Sequence, residues 1–176
     1  MEVSLLMISP LMTALLSLIC LPFSVFAEQQ SNSQNYDGID YLLKSLNKAG
    51  ITISFDGSEC YGHEEGAYIK DQRKIIFCEP KPTFHALKHE SWHVLQHCKM
   101  WKYDDTLTSS FHSWKEPLLA FIKTSGIDSA EISETYKKLG ADPSAILLEL
   151  EAEAASASYS SKQIADLITN NCLAKQ

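Results

Sequence analysis

After residue 37, the apolar residues of the chain follow two different spacings. Strand-like alternation with β-branched residues is confined to a short stretch in the middle of the chain. Apolar residues at three- and four-residue intervals, the spacing of an amphipathic helix, fill most of the rest. The predicted elements are a helix over residues 38–49, strands over 51–55, 67–69 and 74–78, a helix over 83–99, and four helices beginning near residues 116, 128, 142 and 161. We therefore predict an α+β fold that is mostly helical, with a short β-hairpin directly before the helix over 83–99.

Capping residues fix where the two most informative of these helices begin. Thr83 can act as the N-cap of the helix over 83–99, and no Gly or Pro interrupts that helix. Asp142 followed by Pro143 is an N-cap and first-turn combination for the helix that carries residues 146–160. With both starting points fixed, the helical period predicts the face on which each later residue lies.

The first 27 residues differ in character from the rest of the chain. Met1 to Ala27 is an apolar run without Lys or Arg, and its polar continuation is typical of the region after a signal-peptide cleavage site. We predict export, to the periplasm or the medium, with cleavage after Ala27 and a flexible leader over residues 28–37. Glu2 stands where a signal peptide usually carries positive charge. Because the run approaches the ~20 residues that span a bilayer, an uncleaved membrane anchor over residues 1–27 is the alternative.

Size and charge narrow the possible partners. Removal of residues 1–27 leaves 149 residues, and we assign residues 38–176 to a single domain of ordinary size. The full chain has a formal net charge of −7, and loss of Glu2 changes the net charge to −6. No basic stripe occurs, so nucleic acid is not an expected partner. We expect a monomer that contacts a membrane only if the N-terminal anchor is retained.

Cysteines provide a second indication of export. Four of them follow the predicted signal peptide, namely Cys60, Cys78, Cys98 and Cys172. An even number in an exported chain indicates two disulfides, for which three connectivities are possible. We favour Cys60–Cys78, which would close a local β element, and Cys98–Cys172, which would tie the C-terminus to the helix over 83–99. Free buried thiols in a cytosolic protein are the alternative.

Residues 89–93 read His-Glu-Ser-Trp-His, the HExxH pattern, within the helix over 83–99. Residues four apart on a helix lie one above the other, so His89 and His93 can direct imidazole nitrogens at one metal ion. Glu90 lies roughly 100° further round the helix, given ~3.6 residues per turn, and reaches the edge of such a site. Two histidine ligands beside a glutamate base are what a zinc hydrolase requires. The motif therefore predicts a zinc site with Glu90 as general base.

A catalytic zinc ion normally has a third protein ligand besides two histidines. The metzincin arrangement, HExxHxxGxxH, is excluded because Gln96 and Lys99 occupy its Gly and third-His positions. The other arrangement takes a glutamate from a second helix. The helix that begins at Asp142 offers candidates, because residues 149–153 read Glu-Leu-Glu-Ala-Glu.

The glutamates of this second helix are Glu149, Glu151 and Glu153. Glu149 and Glu153 share one helix face, whereas Glu151 points away from it. Together with the upstream HExxH, this segment resembles the gluzincin metallopeptidases, whose second motif is Glu-x-x-Ala-Asp or Glu-x-x-Ala-Asn. The resemblance extends from Ala67 to Ser160 and implies a small zincin-like domain with the order strand, HExxH helix and glutamate helix.

The gluzincin resemblance also implies roles for individual residues. It implies one zinc ion per chain, held by His89, His93 and Glu149, with Ala152 at a small packing position. Glu153 takes the position of the family's Asp, which implies a carboxylate that orients a ligand histidine. Because this chain has Glu where the family has Asp or Asn, Glu153 is also an alternative third ligand.

The expected activity is zinc-dependent hydrolysis of peptide bonds in a peptide or protein substrate, with Glu90 accepting a proton from a metal-activated water. Candidates for stabilising the developing oxyanion are Tyr136, Tyr159 and His112. The edge of the predicted hairpin can pair with an extended peptide, or it is purely structural. Glu65 belongs to a segment that we interpret as a solvated turn.

A histidine stripe suggests one alternative to the peptidase. His85, His89, His93 and His97 are each four residues apart and fall along one helix face. Successive steps of ~6 Å place the outer two too far away to share the ion held by the central pair. We interpret His85 and His97 as surface or core residues, with a second, adventitious metal site as the sharper possibility. That alternative is a non-catalytic exported metal-binding protein that uses the stripe. An inactive zincin-like domain that binds a partner is a separate alternative.

Overall fold

Helices and strands form where the apolar spacing predicts them, with boundaries that differ by one or two residues. Helix α1 covers residues 38–48, and the elements that follow are β1 Thr52–Ser54, β2 Gly66–Ile69, β3 Lys74–Phe77, α2 Phe84–Met100, α3 Lys115–Thr124, α4 Ser129–Lys138, α5 Pro143–Ser158 and α6 Ser161–Ile168. A π-helical turn over Thr169–Leu173 follows α6. The predicted α+β class, mostly helical with one small sheet, is confirmed.

These elements come from a computed structural model that describes residues 38–55, 60, 65–79, 82–100 and 115–173, with the backbone alone at 99, 100 and 115. All of these residues belong to one compact unit, Asn35–Gln176. The predicted signal peptide and leader lie outside the described residues, as does His112. Within the described ranges, no helix combines the length and apolar character needed to cross a bilayer.

The sheet has three strands in the order β1-β3-β2. Strand β3 lies in the centre, parallel to β1 and antiparallel to β2. Ile75, Ile76 and Phe77 are all buried, so both faces of β3 are covered, as its run of β-branched and aromatic residues predicts. The hairpin between β2 and β3 turns through Arg73, which has a positive φ of 50°. Among the strands that the structure describes, β2 is therefore an edge strand that pairs on one side only.

Helix α2 is the central element of the core. Trp92, Val94 and Leu95 are buried in one apolar cluster that also receives side chains from α1, the sheet, α5 and α6. Helix α5 packs along α2, and its Ala152 and Ala155 are fully buried in the same cluster. Such small side chains let two helix backbones approach closely, so residues on facing turns of α2 and α5 can reach each other.

A second, smaller cluster connects α5 to the two helices before it. Its buried members are Leu118 and Ile122 of α3 and Ile146, Leu150 and Ala154 of α5. Helix α4 contributes only partly buried side chains to this cluster, and none of its residues is buried. It therefore forms an outer wall of the molecule beside α5.

Polar caps define the start of α5, as the sequence predicts. The Asp142 carboxylate accepts hydrogen bonds from the backbone N–H groups of Ser144 and Ala145 at 2.8 and 3.0 Å, and Pro143 occupies the first turn. These bonds satisfy amide donors that have no partner within the helix. They fix the register of α5 and hence the direction in which its glutamates point.

Both favoured disulfides are present. Cys60 pairs with Cys78, and Cys98 pairs with Cys172 over a sequence separation of 74 residues. The second bond joins the C-terminal part of α2 to the turn after α6, as predicted. Two disulfides are typical of proteins that fold in an oxidising compartment.

Replacing both Cys98 and Cys172 with Ser is expected to lower the free energy of unfolding by about 2–4 kcal/mol, because the long loop they close is then unrestrained in the unfolded chain. The Cys60→Ser/Cys78→Ser variant is the matched control, since its loop spans only 18 residues and a smaller loss follows. Urea unfolding in the presence of a chelator provides the measurement. Unchanged stability of the Cys98/Cys172 variant would contradict this role.

Candidate metal centre

Three side-chain atoms from α2 and α5 converge at one point. Nε2 of His89 lies 3.1 Å from Nε2 of His93, because the two residues are one turn apart on the same face of α2. Oε2 of Glu149, on α5, lies 3.1 Å from the His89 nitrogen and 3.4 Å from the His93 nitrogen. The predicted ligands of the HExxH and glutamate motifs are therefore adjacent, and both histidines are buried.

The spacing of these three atoms can be compared with the requirement of a metal ion. Zinc binds nitrogen and oxygen at ~2.0–2.1 Å in tetrahedral geometry, so its ligand atoms lie about 3.3–3.4 Å apart. The separations of 3.1, 3.1 and 3.4 Å between the donors are close to that edge length. His89, His93 and Glu149 thus fit a single ion of this size with three protein ligands.

Hydrogen bonds around His93 determine which of its nitrogens faces the centre with a lone pair. The Gln96 amide nitrogen donates to the Leu148 carbonyl at 3.2 Å, so Gln96 Oε1 is the atom that faces His93. His93 Nδ1 lies 2.8 Å from that oxygen and must therefore carry the proton that it donates. The Nε2 atom of neutral His93 is then unprotonated, which is the form that binds a metal.

A carboxylate faces the second ring nitrogen of His89. Nδ1 of His89 lies 3.2 Å from Oε1 of Glu153, one turn along α5 from Glu149. This nitrogen is buried and makes no hydrogen bond of good geometry, so Glu153 faces it as a nearby charge. When Nδ1 carries the proton, the lone pair on Nε2 points at His93 and Glu149. Two nitrogen lone pairs and a carboxylate oxygen in contact repel one another unless a cation or a proton lies between them.

The electrostatics of the centre favour a positive charge there. Burial acts to lower the pKa of His89, but hydrogen bonds to Glu149 and Glu153 outweigh it and raise the pKa to about 10. Burial opposes ionisation of Glu149, yet its bonds to His89 and His93 hold the carboxyl pKa well below its usual range. The raised pKa of His89 indicates that these carboxylates stabilise positive charge on its ring.

Zinc binding at pH 7 is accordingly expected to release at least one proton, because a histidine with a raised pKa must lose its proton before Nε2 can bind the ion. Competition by that proton lowers the affinity about tenfold for each unit that the pH falls between 8 and 6. Isothermal titration calorimetry in buffers of different ionisation enthalpy counts the protons. An affinity independent of pH, with no buffer-dependent heat, would contradict the assignment of His89 as a ligand.

Glu90 lies beside this centre and belongs to α2 as well. Its side chain is buried, and burial raises the pKa of its carboxyl above the ordinary value, although the nearby imidazoles oppose the rise. The backbone N–H of Tyr68, on the edge strand β2, donates to the carboxylate. Glu90 is therefore a fixed carboxyl group whose pKa is shifted toward neutrality, as suits a general base.

The centre lies in an open cleft of about 1240 Å³. One wall is the edge strand β2, the floor is formed by α2 and α5, and the other wall is α4. The described lining residues are Glu65, Gly66, Ala67, Tyr68, Thr83, His85, Ala86, His89, Glu90, His93, Glu131, Ile132, Thr135, Tyr136, Leu139, Glu149 and Glu153. The edge strand β2 borders the candidate site, and the cleft has room for an extended peptide beside it. The sequence alone left open whether this edge is structural or binds substrate.

The outer histidines of the stripe have different surroundings from the central pair. His97 is buried, and its Nδ1 lies 2.7 Å from the Tyr68 hydroxyl. His85 is half-exposed, with Nε2 at 2.7 Å from Oε2 of Glu153. His85, His89 and Glu153 also lie close enough together to form a second possible group of metal donors. Neither outer histidine belongs to the group formed by His89, His93 and Glu149, whereas the second group, through His85, matches the second, adventitious metal site that the sequence left open.

The remaining glutamate and the oxyanion candidates are separated by the fold. Glu151 is buried on the other side of α5, where it accepts a hydrogen bond from the Trp92 indole at 3.0 Å, so it points away from the cleft as predicted. Tyr136 lines the cleft, and burial together with a hydrogen bond to Glu149 raises the pKa of its hydroxyl. Tyr159 stacks on Trp92 in the core and is absent from the described lining, which disfavours it as an oxyanion donor.

Two supporting residues were not predicted from the sequence. In the sequence, Gln96 served only to exclude the metzincin pattern. In the structure, it fixes the ring of His93. Tyr68 was assigned only to a strand, yet its backbone holds Glu90 and its hydroxyl contacts His97. The position of Gln96, three residues after His93 on the same helix, is a signal that could have identified it.

Comparison with known proteins adds no identification. No protein-family model, no curated protein and no solved structure matches this chain. The geometry and electrostatics of the centre itself are therefore the basis for assigning a function.

Proposed function

We propose that this protein is an exported zinc metallopeptidase of gluzincin type that hydrolyses peptide bonds in a peptide or protein substrate. One observation carries the proposal, namely the convergence of His89, His93 and Glu149 on one point beside the buried carboxyl of Glu90. A metal centre with an adjacent base is the minimum equipment of a metal-dependent hydrolase. Export is supported by the two disulfides and by the signal-like character of residues 1–27.

Each residue would have a defined role in this mechanism. When bound by His89, His93 and Glu149, zinc supplies the Lewis acidity that polarises the scissile carbonyl and makes water nucleophilic. Glu90 takes the proton of the attacking water and delivers it to the leaving amine. The Tyr136 hydroxyl, on the facing wall of the cleft, is the candidate donor to the developing oxyanion.

The choice of Glu149 as third ligand, with Glu153 in a supporting role, is part of the proposal. Glu149 Oε2 approaches the Nε2 atoms of both histidines, whereas Glu153 approaches His89 from its Nδ1 side and also contacts His85. A carboxylate on the non-coordinating nitrogen orients the ring and increases its basicity. This arrangement favours Glu153 as the residue that orients His89.

The alternatives to the peptidase have less support. A metal-binding protein that uses all four histidines needs His97, which instead contacts Tyr68 in the interior. A zincin-like domain without turnover differs from the peptidase only in activity, so an activity measurement separates them.

The test is cleavage of a proteome-derived peptide library by the full chain, purified with its disulfides formed, and analysed by mass spectrometry. We expect cleavage that stops on addition of a chelator and returns with zinc. Glu149→Gln should abolish the activity, whereas Glu153→Gln should weaken zinc binding by about 10–100-fold and recover activity in excess zinc. Absence of chelator-sensitive cleavage by the zinc-loaded protein would contradict the proposed function, and equal losses in the two variants would contradict the ligand assignment.

A further inference from the structure

The described residues that line the cleft include five glutamates and no Lys or Arg. Three of these glutamates, Glu90, Glu149 and Glu153, belong to the proposed catalytic centre. The other two, Glu65 and Glu131, take no part in it and stand on opposite walls.

Glu65 directly precedes the edge strand β2. Its Oε2 accepts a hydrogen bond of 2.7 Å from the Thr83 hydroxyl, and that hydroxyl in turn accepts from the backbone N–H of Ala86 at 3.1 Å. The backbone carbonyl of Glu65 accepts from the N–H of Cys78 at 3.1 Å. Glu65 is exposed and lies in a bend, as predicted, and its carboxylate is held on the β2 wall by Thr83, the residue that precedes α2.

Glu131 lies on the facing wall, in the first turn of α4. Its backbone N–H donates to the Asp128 carboxylate at 3.0 Å, which fixes this end of the helix. The Glu131 side chain is exposed and lines the cleft. A substrate lying between β2 and α4 thus passes a carboxylate on each side.

A bound divalent cation does not neutralise this cleft. With both histidines neutral, the five ionised glutamates carry five negative charges and the ion supplies two positive ones. Even with Glu90 protonated, the loaded cleft is negative. Low-dielectric walls of one sign concentrate ligands of the opposite sign.

We propose that the cleft selects peptides that carry Lys or Arg side chains close to the cleaved bond, with Glu65 and Glu131 as the residues that determine this specificity. The predicted preference in cleavage rests on the proposed peptidase function. The predicted preference in peptide binding does not. Unit charges separated by about 5–6 Å in water-exposed surroundings change a rate or a binding constant by roughly 3- to 10-fold. The preference should weaken at high ionic strength, because ~1 M salt shortens the screening length to ~3 Å.

The test compares peptides that differ only in side-chain charge. A cleaved library peptide is resynthesised, acetylated and amidated at its ends, with Lys, Gln or Glu at the positions flanking the cleaved bond. We expect kcat/KM to fall from Lys to Gln to Glu, by roughly 3- to 10-fold for each charge change in 0.05 M salt. The ratio of kcat/KM for the Lys peptide to that for the Glu peptide should be smaller in the Glu65→Gln and Glu131→Gln variants. It should be unchanged in Glu134→Gln, an exposed residue of α4 that pairs with Lys138 outside the cleft lining.

The outcomes separate this inference from the proposed function. Equal cleavage of the Lys, Gln and Glu peptides would overturn the specificity and leave the peptidase intact. If no peptide is cleaved, binding of fluorescent Lys-, Gln- and Glu-containing peptides to the same zinc-loaded protein is measured by anisotropy. A salt-sensitive preference for Lys that requires Glu65 and Glu131 would then support the acidic cleft without a peptidase, and equal binding would overturn it.

Discussion

In the Glu90→Gln variant, zinc content is expected to stay at one ion per chain while kcat/KM for peptide cleavage falls by about 10²–10⁴-fold. The substitution keeps the size of the side chain and an oxygen that can accept from the Tyr68 N–H, so α2 should keep its structure. It removes the carboxylate that takes the proton of the attacking water. Native mass spectrometry measures the zinc, and steady-state kinetics on a library-derived peptide measures the activity.

The matched control for this experiment is Glu116→Gln, an exposed glutamate in the first turn of α3. It makes the same chemical change away from the described cleft lining, so both zinc content and kcat/KM should stay at the wild-type level. Near-normal turnover by Glu90→Gln would refute the role of Glu90 as base. Loss of zinc in that variant would show that the carboxylate helps to hold the ion.

Replacing His89 with Ala is expected to lower zinc affinity by more than about 100-fold, because a ligand contributes more than the 10–100-fold typical of its hydrogen-bonded partners. The variant leaves His93 and Glu149 as the only predicted ligands, and both were positioned partly by contact with the missing ring. Competition with a chromophoric chelator gives the dissociation constant. Activity at limiting zinc should disappear in parallel.

His85→Ala serves as the comparison, since it removes an imidazole one turn earlier on the same face of α2. His85 contacts Glu153 but not the three converging atoms, so its loss should change zinc affinity by at most about 10-fold. Equal losses in the two variants would indicate a metal site shared along the stripe. Unchanged affinity in His89→Ala would remove the basis for the whole assignment.

Local periodicity accounts for the relative positions of the His and Glu side chains on α2 and α5. The spacing of His89 and His93 brings their Nε2 atoms to 3.1 Å, as expected for residues one helical turn apart. The same rule separated Glu149 and Glu153, on the cleft side of α5, from Glu151, which contacts Trp92 on the other side. The even number of cysteines predicted two disulfides, and of the three possible connectivities the favoured one is present.

Features that depend on tertiary contacts were not predictable from one sequence. The bond from Gln96 to the Leu148 carbonyl needs the register of α5 against α2. The donation from Tyr68 to Glu90 needs the order of strands that leaves β2 at the edge. Glu65 and Glu131 are far apart in sequence and share a cleft only after β2 and α4 take their places on either side of α2 and α5. Apolar spacing gives the buried face of each element but not which faces meet.

The most direct test of the central claim is the zinc stoichiometry of the full chain, with disulfides formed, measured by native mass spectrometry beside Glu149→Ala and the double variant His85→Ala/His97→Ala. We predict one zinc per wild-type chain, weakened binding in Glu149→Ala, and one retained zinc in the double variant. Several ions per chain, or loss of zinc on removing the two outer histidines alone, would contradict a centre built from His89, His93 and Glu149.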